Sequence, residues 1–304
     1  MNSIVSVIIP TYKRSLFLTD CIDTVLNQSY KDIEIIVVDD NGKGSTCQLK
    51  TEEALKSYID NNLVKYIPHE YNRNGSAARN TGFNSSHGDY VLFLDDDDTL
   101  MPEMINTQLM KLKSLPEDYG AVYCNSIIRY RVRFFNFIRT VKTNSKKEGN
   151  LCRDYLLGKC RFNTSTILFR RSTIEFLEGF DETFKRHQDN ELMVRFFSKY
   201  KIGCSFGALV KYDLTKDNTV RYDCRANYDN KIHFFNKRGE LLKTMGIYDD
   251  IAHDFWLNAS ISAYLAGDKA LYNKCKDLSI NAKRDSVYDI VRLNVLKMLY
   301  LLKH

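Results

Sequence analysis

Four consecutive aspartates, Asp95, Asp96, Asp97 and Asp98, follow directly on the apolar run Tyr90-Val91-Leu92-Phe93-Leu94. Carboxylates crowded at the end of a strand repel one another unless a cation neutralises them. A hard divalent ion such as Mg²⁺ or Mn²⁺ suits oxygen ligands and keeps positions open for a diphosphate. The same run in a solvated turn would be unremarkable chemically, so its meaning depends on what carries it. Two other polar clusters stand in similar places, Pro10-Thr11-Tyr12 after one β-branched run and Asp39-Asp40 after another. No G-x-G-x-x-G follows the first run and no P-loop lysine motif occurs, so neither dinucleotide nor P-loop nucleotide chemistry is implied.

The elements that must position these clusters alternate in type over the first 125 residues, which is the pattern of βαβ units. Strands are expected at 5–9, stopped by Pro10, and at 34–38, 64–67, 90–94 and 121–123. Helices are expected at 15–28 with Ser15 as cap, and at 46–61, 76–85 and 102–114. Sheets of this kind bind ligands in the crevice beyond the carboxyl ends of their strands, where all three clusters fall. Further on, 163–169 reads as a buried strand and 190–200 as a helix. The Arg- and Phe-rich stretch from Arg129 to Lys147 has no decisive period. Beyond about Arg225 the pattern is helical, so the expected organisation is an α/β domain over 1–222 and a helical region over 223–304.

Composition narrows the class. A chain of 304 residues with 44% hydrophobic and 27% charged content has the apolar side chains a globular core needs. Its eight cysteines include no C-x-x-C pair, which argues against a disulfide framework and a thiolate zinc site. Neither a signal peptide nor about 18 consecutive apolar residues is seen, so a cytoplasmic address is expected, with room for peripheral contact at the inner face of a membrane. The net charge of +6 fits ordinary solubility, anionic lipid or phosphate-bearing substrates; no nucleic-acid partner is expected. The segment 129–139 and the stretch 289–302, with Ile290, Leu293, Leu296 and Leu299 near one face, are candidates for membrane contact and equally for core or surface roles.

The sequence resembles the inverting glycosyltransferases of family 2, which have the GT-A nucleotide-diphospho-sugar transferase fold, a Rossmann-like mixed sheet. The likeness runs through Val5-Ser6-Val7-Ile8-Ile9-Pro10-Thr11-Tyr12, Ile36-Val37-Val38-Asp39-Asp40, Asn74-Gly75-Ser76-Ala77-Ala78-Arg79-Asn80-Thr81-Gly82, Gly88-Asp89-Tyr90, Leu94 with the four aspartates, and Gly179-Phe180-Asp181-Glu182 before Asp189. It covers about residues 3 to 200 and implies a roster of roles. Pro10, Thr11, Tyr12 and Asp40 would cradle the nucleoside, with Asp40 accepting the imide N–H of a uracil or thymine. Arg79 would meet phosphate or base. Asp95 and Asp97 match the D-x-D, Asp97 as the direct metal ligand and Asp95 nearer the ribose or the metal's waters, with Asp96 beside the donor. Asp189 would be the general base.

The usual Glu-Asp pair reads Gln188-Asp189 here, Glu191 is a rival base two residues on, and Asp189 can alternatively be a helix N-cap. His187 reads as a surface or acceptor-side residue. The implied reaction moves a hexosyl or N-acetylhexosaminyl group from a nucleoside-diphosphate donor, a UDP-sugar for preference, to a saccharide or lipid-linked saccharide. Mn²⁺ or Mg²⁺ would assist, in cell-surface polysaccharide synthesis of bacterial type. Two alternatives stand beside it. Phe93-Leu94-Asp95-Asp96-Asp97-Asp98-Thr99 also satisfies the D-x-D-x-T of haloacid-dehalogenase-type phosphatases, with Asp95 as nucleophile and Gly267-Asp268 as a poor second motif. A nucleotide-sugar-binding protein with a dead site would keep Asp40 and the metal site.

Overall fold

The computed structural model of the chain describes residues 3–132, 137–215 and 223–283. They fall into two compact units that divide between Asn218 and Thr219.

In the first unit, strands β1 (Val5–Thr11), β2 (Ile33–Asp39), β3 (Lys65–Pro68) and β4 (Tyr90–Phe93) run parallel in the order β3-β2-β1-β4. Helices α1 (Ser15–Leu26), α2 (Thr46–Asp60) and α3 (Gly75–Asn84) make the crossovers between them. Beyond β4 the sheet turns mixed. β5 (Asp98–Leu100), α4 (Met104–Ser114), β6 (Tyr119–Val132) and β7 (Phe137–Lys142) follow in the chain, then α5 (Cys152–Leu156), β8 (Ile167–Arg170), α6 (Arg171–Phe176), α7 (Gln188–Phe197) and β9 (Lys201–Asp213). β8 pairs antiparallel with β4 and β6, β9 runs parallel to β6, and β5 pairs antiparallel with β9.

Burial on both sheet faces explains the β-branched stretches Val7-Ile8-Ile9 and Ile35-Ile36-Val37-Val38. Val5, Val7 and Ile9 pack with Leu18, Ile22 and Val25 of α1 and Leu55 of α2 in one core cluster. Ile8 faces the other way, under α3. A Cβ on Gly82 would come within 2.3 Å of the Ile8 Cγ2, so only glycine lets α3 lie this close to the sheet. On that side Phe93 meets Phe180 edge-on at 4.9 Å and Phe169 at 6.2 Å.

Several expectations change. β1 continues through Pro10 and Thr11, because the partner β2 supplies the pairing on one side even where proline lacks an N–H. Ser15 opens α1 rather than capping it; Arg14 holds the cap position without a side-chain bond. Residues 164–166 form a 3₁₀ turn before β8, so the strand expected at 163–169 is shorter. The unassigned stretch after Arg129 continues β6 and returns as β7. β5 was not foreseen; three residues are too few for a periodic signal.

The second unit packs α8 (Cys224–Thr244), α9 (Tyr248–Leu265) and α10 (Lys269–Ala282) around Ala252, Trp256, Ala259 and Cys275. Asp223 and Asp268 cap α8 and α10, so Asp268 has a structural duty. Among the described residues no helix is long and apolar enough to cross a membrane, and 289–302 lies outside them.

Candidate functional site

The polar clusters meet at the carboxyl ends of β1, β2 and β4. Thr11 donates its hydroxyl proton to Asp96 at 2.6 Å across 85 residues of sequence, and the Asp40 amide reaches the Thr11 carbonyl at 2.9 Å. Arg79, buried on α3, pairs with Asp95 at 2.6 Å. Arg14, just past β1, bridges Asp97 at 2.9 Å and Asp96 at 3.3 Å. The aspartate run is thus held by two guanidinium groups from other elements. Even so, burial pushes the Asp96 carboxyl up to about 7 against the pull of Thr11 and Arg14. Asp98, buried at the start of β5, is pushed well above its ordinary value by burial and then by Asp95. Arg14 escaped notice in the sequence, although a basic pair directly after the first strand's polar loop was a readable signal.

Asp40 sits on the cleft wall, yet its carboxylate is already saturated. One oxygen takes His69 Nδ1 at 2.7 Å and the Arg73 amide at 2.8 Å; the other takes Asn72 Nδ2 and the Asn74 amide, both at 2.8 Å. A carboxylate has about four acceptor sites. Through these bonds Asp40 organises the turn that starts α3. Asn74 continues that work at φ 87°, capping α3 through the Ser76 and Ala77 amides.

Two distant motifs are clamped together by Asn80, the neighbour of Arg79. Its side chain accepts from the Phe180 amide at 2.8 Å and donates to the Phe180 carbonyl at 2.9 Å. Asn74 Nδ2 donates to the Glu182 carbonyl at 3.0 Å and Ser76 to that of Phe184 at 3.2 Å. The loop so anchored leads into α7 and delivers Asp189 beside Arg79.

Asp189 occupies the first turn of α7, whose cap position belongs to His187 at φ 60°, so the N-cap reading does not hold. Its Oδ1 is buried without a hydrogen-bond partner, and so is Nε of Arg79. Burial raises the Asp189 carboxyl to about 6, with Arg79 pulling it down and Asp95 pushing it up. Glu191 is fully buried and forks onto Arg195 at 2.5 and 2.6 Å. Arg195 also donates to the Leu177 and Gly179 carbonyls, which makes this pair a staple between α7 and the loop before it. Breaking a buried pair costs roughly 3–5 kcal/mol. A Glu191→Gln chain should therefore show a lowered Tm with an unshifted pH profile for turnover; a profile that moved would restore Glu191 as a base.

Two clefts flank the aspartates and share Arg14 and Asp95. The first, about 370 Å³, is lined by Pro10, Thr11, Tyr12, Asp40, Arg79, Asp96, Gln188 and, unforeseen, Lys185. The second, about 590 Å³, presents Asp97, Asp98, Tyr155, Arg161, Asn190 and Tyr212. Gln188 and Asn190 line different clefts, so Asp189 lies on the chain between them. Among the described residues no three His, Cys, Asp or Glu side chains gather into a metal cage. The all-oxygen donors Asp95 and Asp97 fit a hard cation that completes its shell with phosphate and water, once Arg14 yields.

The model of glycosyl transferase family 2 matches residues 6–176. The chain belongs to that family. Within it, the amylovoran biosynthesis glycosyltransferase AmsB of Erwinia amylovora is 31% identical over 194 residues, 62% of each chain. The match thus spans less than two thirds of that relative. Among solved structures, Staphylococcus aureus TarS 1–349 in complex with UDP-GlcNAc superposes with a TM-score of 0.58 at 14% identity over 92% of both chains. The mannosyltransferase PcManGT from Pyrobaculum calidifontis in complex with GDP-Man and Mn²⁺ does so at 0.59 and 18% identity, over 99% of this chain and 81% of that one. These likenesses establish the GT-A fold of the family 2 chain. The phosphatase alternative loses its ground, since the chain belongs to family 2 and Asp268 caps a helix.

Proposed function

We propose that the chain transfers a sugar with inversion from a nucleoside-diphosphate donor to an acceptor hydroxyl, with Mn²⁺ or Mg²⁺ at the aspartate run. The supporting observation is the buried, unpartnered oxygen of Asp189, raised to about 6, on the chain between two clefts that share Asp95. A general base works best when its pKa lies near the operating pH.

The first cleft suits the donor. Pro10, Thr11 and Tyr12 would border the nucleoside, and Tyr12, 43% exposed, offers a ring face for the base. Arg79, Lys185 and Arg14 supply positive charge for the diphosphate, with Arg79 Nε still lacking an acceptor. Asp97 and Asp95 would hold the cation, which supplies Lewis-acid stabilisation of the departing diphosphate. Asp96, hydrogen-bonded to Thr11, keeps the loop after β1 and the aspartate run in register. The acceptor would lie in the second cleft, where Asp189 takes the proton of the attacking hydroxyl while the glycosidic bond to the diphosphate breaks on the opposite face. TarS carries UDP-GlcNAc and PcManGT carries GDP-Man, so the base is not common to the fold; a UDP-sugar is our choice. The likeness to AmsB, an amylovoran biosynthesis glycosyltransferase, supports polysaccharide synthesis as the process.

The test is a binding and hydrolysis screen across uridine, guanosine and thymidine diphosphate sugars with Mn²⁺ present and then chelated. Cation-dependent turnover of one donor class is expected. Donor binding without any turnover, with acceptors supplied, would favour a nucleotide-sugar-binding protein instead.

A further inference from the structure

Charge in this chain is concentrated in one segment. Between Ile127 and Arg161 stand ten Lys and Arg against Glu148 and Asp154, a net +8 in a chain whose total is +6. The remainder is therefore net negative. The two acids are already engaged, Asp154 with Lys147 and Glu148 with Lys111.

The strand register sorts this charge by face. Arg129 pairs across to Thr140 on β7 and Asp213 on β9, Ile127 to Lys142 and Lys211, and Arg131 to Ile138. Residues in register share a face of the sheet. One face thus displays Arg129, Arg131, Lys142 and Lys211, all exposed, around Ile138 at 43% exposure. Arg129 meets Asp213 at 3.4 Å, while Lys142 and Lys211 make no ion pair among the described residues. The opposite face carries Ser126, Ile128 and Tyr212, which line the wider cleft beside the aspartates.

Edge protection does not account for the pattern. Cations on an exposed edge strand discourage strand addition, and among the described residues β7 pairs only with β6. Arg129 lies on β6 between β7 and β9, however, and Lys211 on β9 between β6 and β5, where there is no edge to guard. Nor does the face suit a nucleic acid. No described aromatic ring lies on it to stack a base, and no helix rises from it to enter a groove. Cations interspersed with aliphatic side chains match the headgroup layer of an anionic bilayer.

We infer that the outward face of the β6–β7–β9 ribbon, through Arg129, Arg131, Lys142 and Lys211, docks the protein on an anionic lipid surface. The inference stands apart from the transfer chemistry, since none of the four cations lines either cleft.

The test is sedimentation of the full chain with vesicles of phosphatidylglycerol and phosphatidylcholine, against phosphatidylcholine alone, at low and at 0.5 M salt. The chain should sediment only with the anionic vesicles and only at low salt. Each cation near the surface is worth roughly five-fold in partitioning. An R129Q/R131Q/K142Q/K211Q chain should lose on the order of several-hundred-fold, with an unchanged Tm and unchanged donor binding, whereas R129K/R131K should sediment like the native chain. Native protein left in the supernatant, equal sedimentation of the quadruple variant, or tighter binding to duplex DNA at equal phosphate concentration would each overturn the inference.

Discussion

An Asp189→Asn chain is expected to bind donor as the native chain does and to transfer sugar about 10²–10⁴-fold more slowly. Asparagine keeps the shape of the side chain and removes its basicity, so the lesion falls on proton acceptance. The pH dependence makes the test specific. Burial holds the native carboxyl at about 6, so native turnover should fall as pH drops through that value and the base becomes protonated. A bound divalent cation nearby would favour the ionised form and move the limb lower. The Asn chain should lack the limb altogether.

Unfolding cannot mimic this result. A carboxyl whose folded value lies above its ordinary 3.8 binds its proton more tightly in the folded state. Its contribution to stability therefore falls as pH rises from about 4 to about 6 and stays level above. At pH 8 the Asn chain should melt no lower than the native one. Transfer at the native rate would remove Asp189 from the mechanism.

Asp97→Asn, like chelation of divalent cations, is expected to lower turnover by roughly 10²–10³-fold, the rate equivalent of several kcal/mol of Lewis-acid stabilisation. The substitution also frees Arg14 from one of its two carboxylate partners. Donor binding should therefore weaken less than turnover, because a guanidinium released toward the diphosphate replaces part of the lost attraction. Excess Mn²⁺ should restore the chelated native chain and leave the Asn chain impaired. Unchanged turnover after exhaustive chelation would exclude a required cation and leave Arg14, Arg79 and Lys185 to carry the leaving group.

The parallel half of the fold was legible because buried parallel strands read as runs rich in β-branched residues, as in Val7-Ile8-Ile9 and Ile35-Ile36-Val37-Val38, and their crossovers as amphipathic helices. The polar clusters were legible for a related reason, since strand ends in such sheets converge wherever the crossovers have one hand. The mixed half was harder. β5 is three residues long and β6 bends through register shifts, so neither sustains a period that a sequence can display.

The sequence by itself determined the family and the strand ends that form the crevice, because local apolar pattern and motif order are properties of the chain, while Arg14 and Lys185 joined the crevice only in the fold. Only the tertiary structure decided how each polar atom is spent. Glu191 and Asp189 lie two positions apart on one helix, yet one is consumed by Arg195 and the other is left with an unpaired oxygen. Asp40 is likewise taken up by His69, Asn72 and two backbone amides. A hydrogen bond is a relation between two atoms in space, and the partners here come from segments up to about a hundred residues apart.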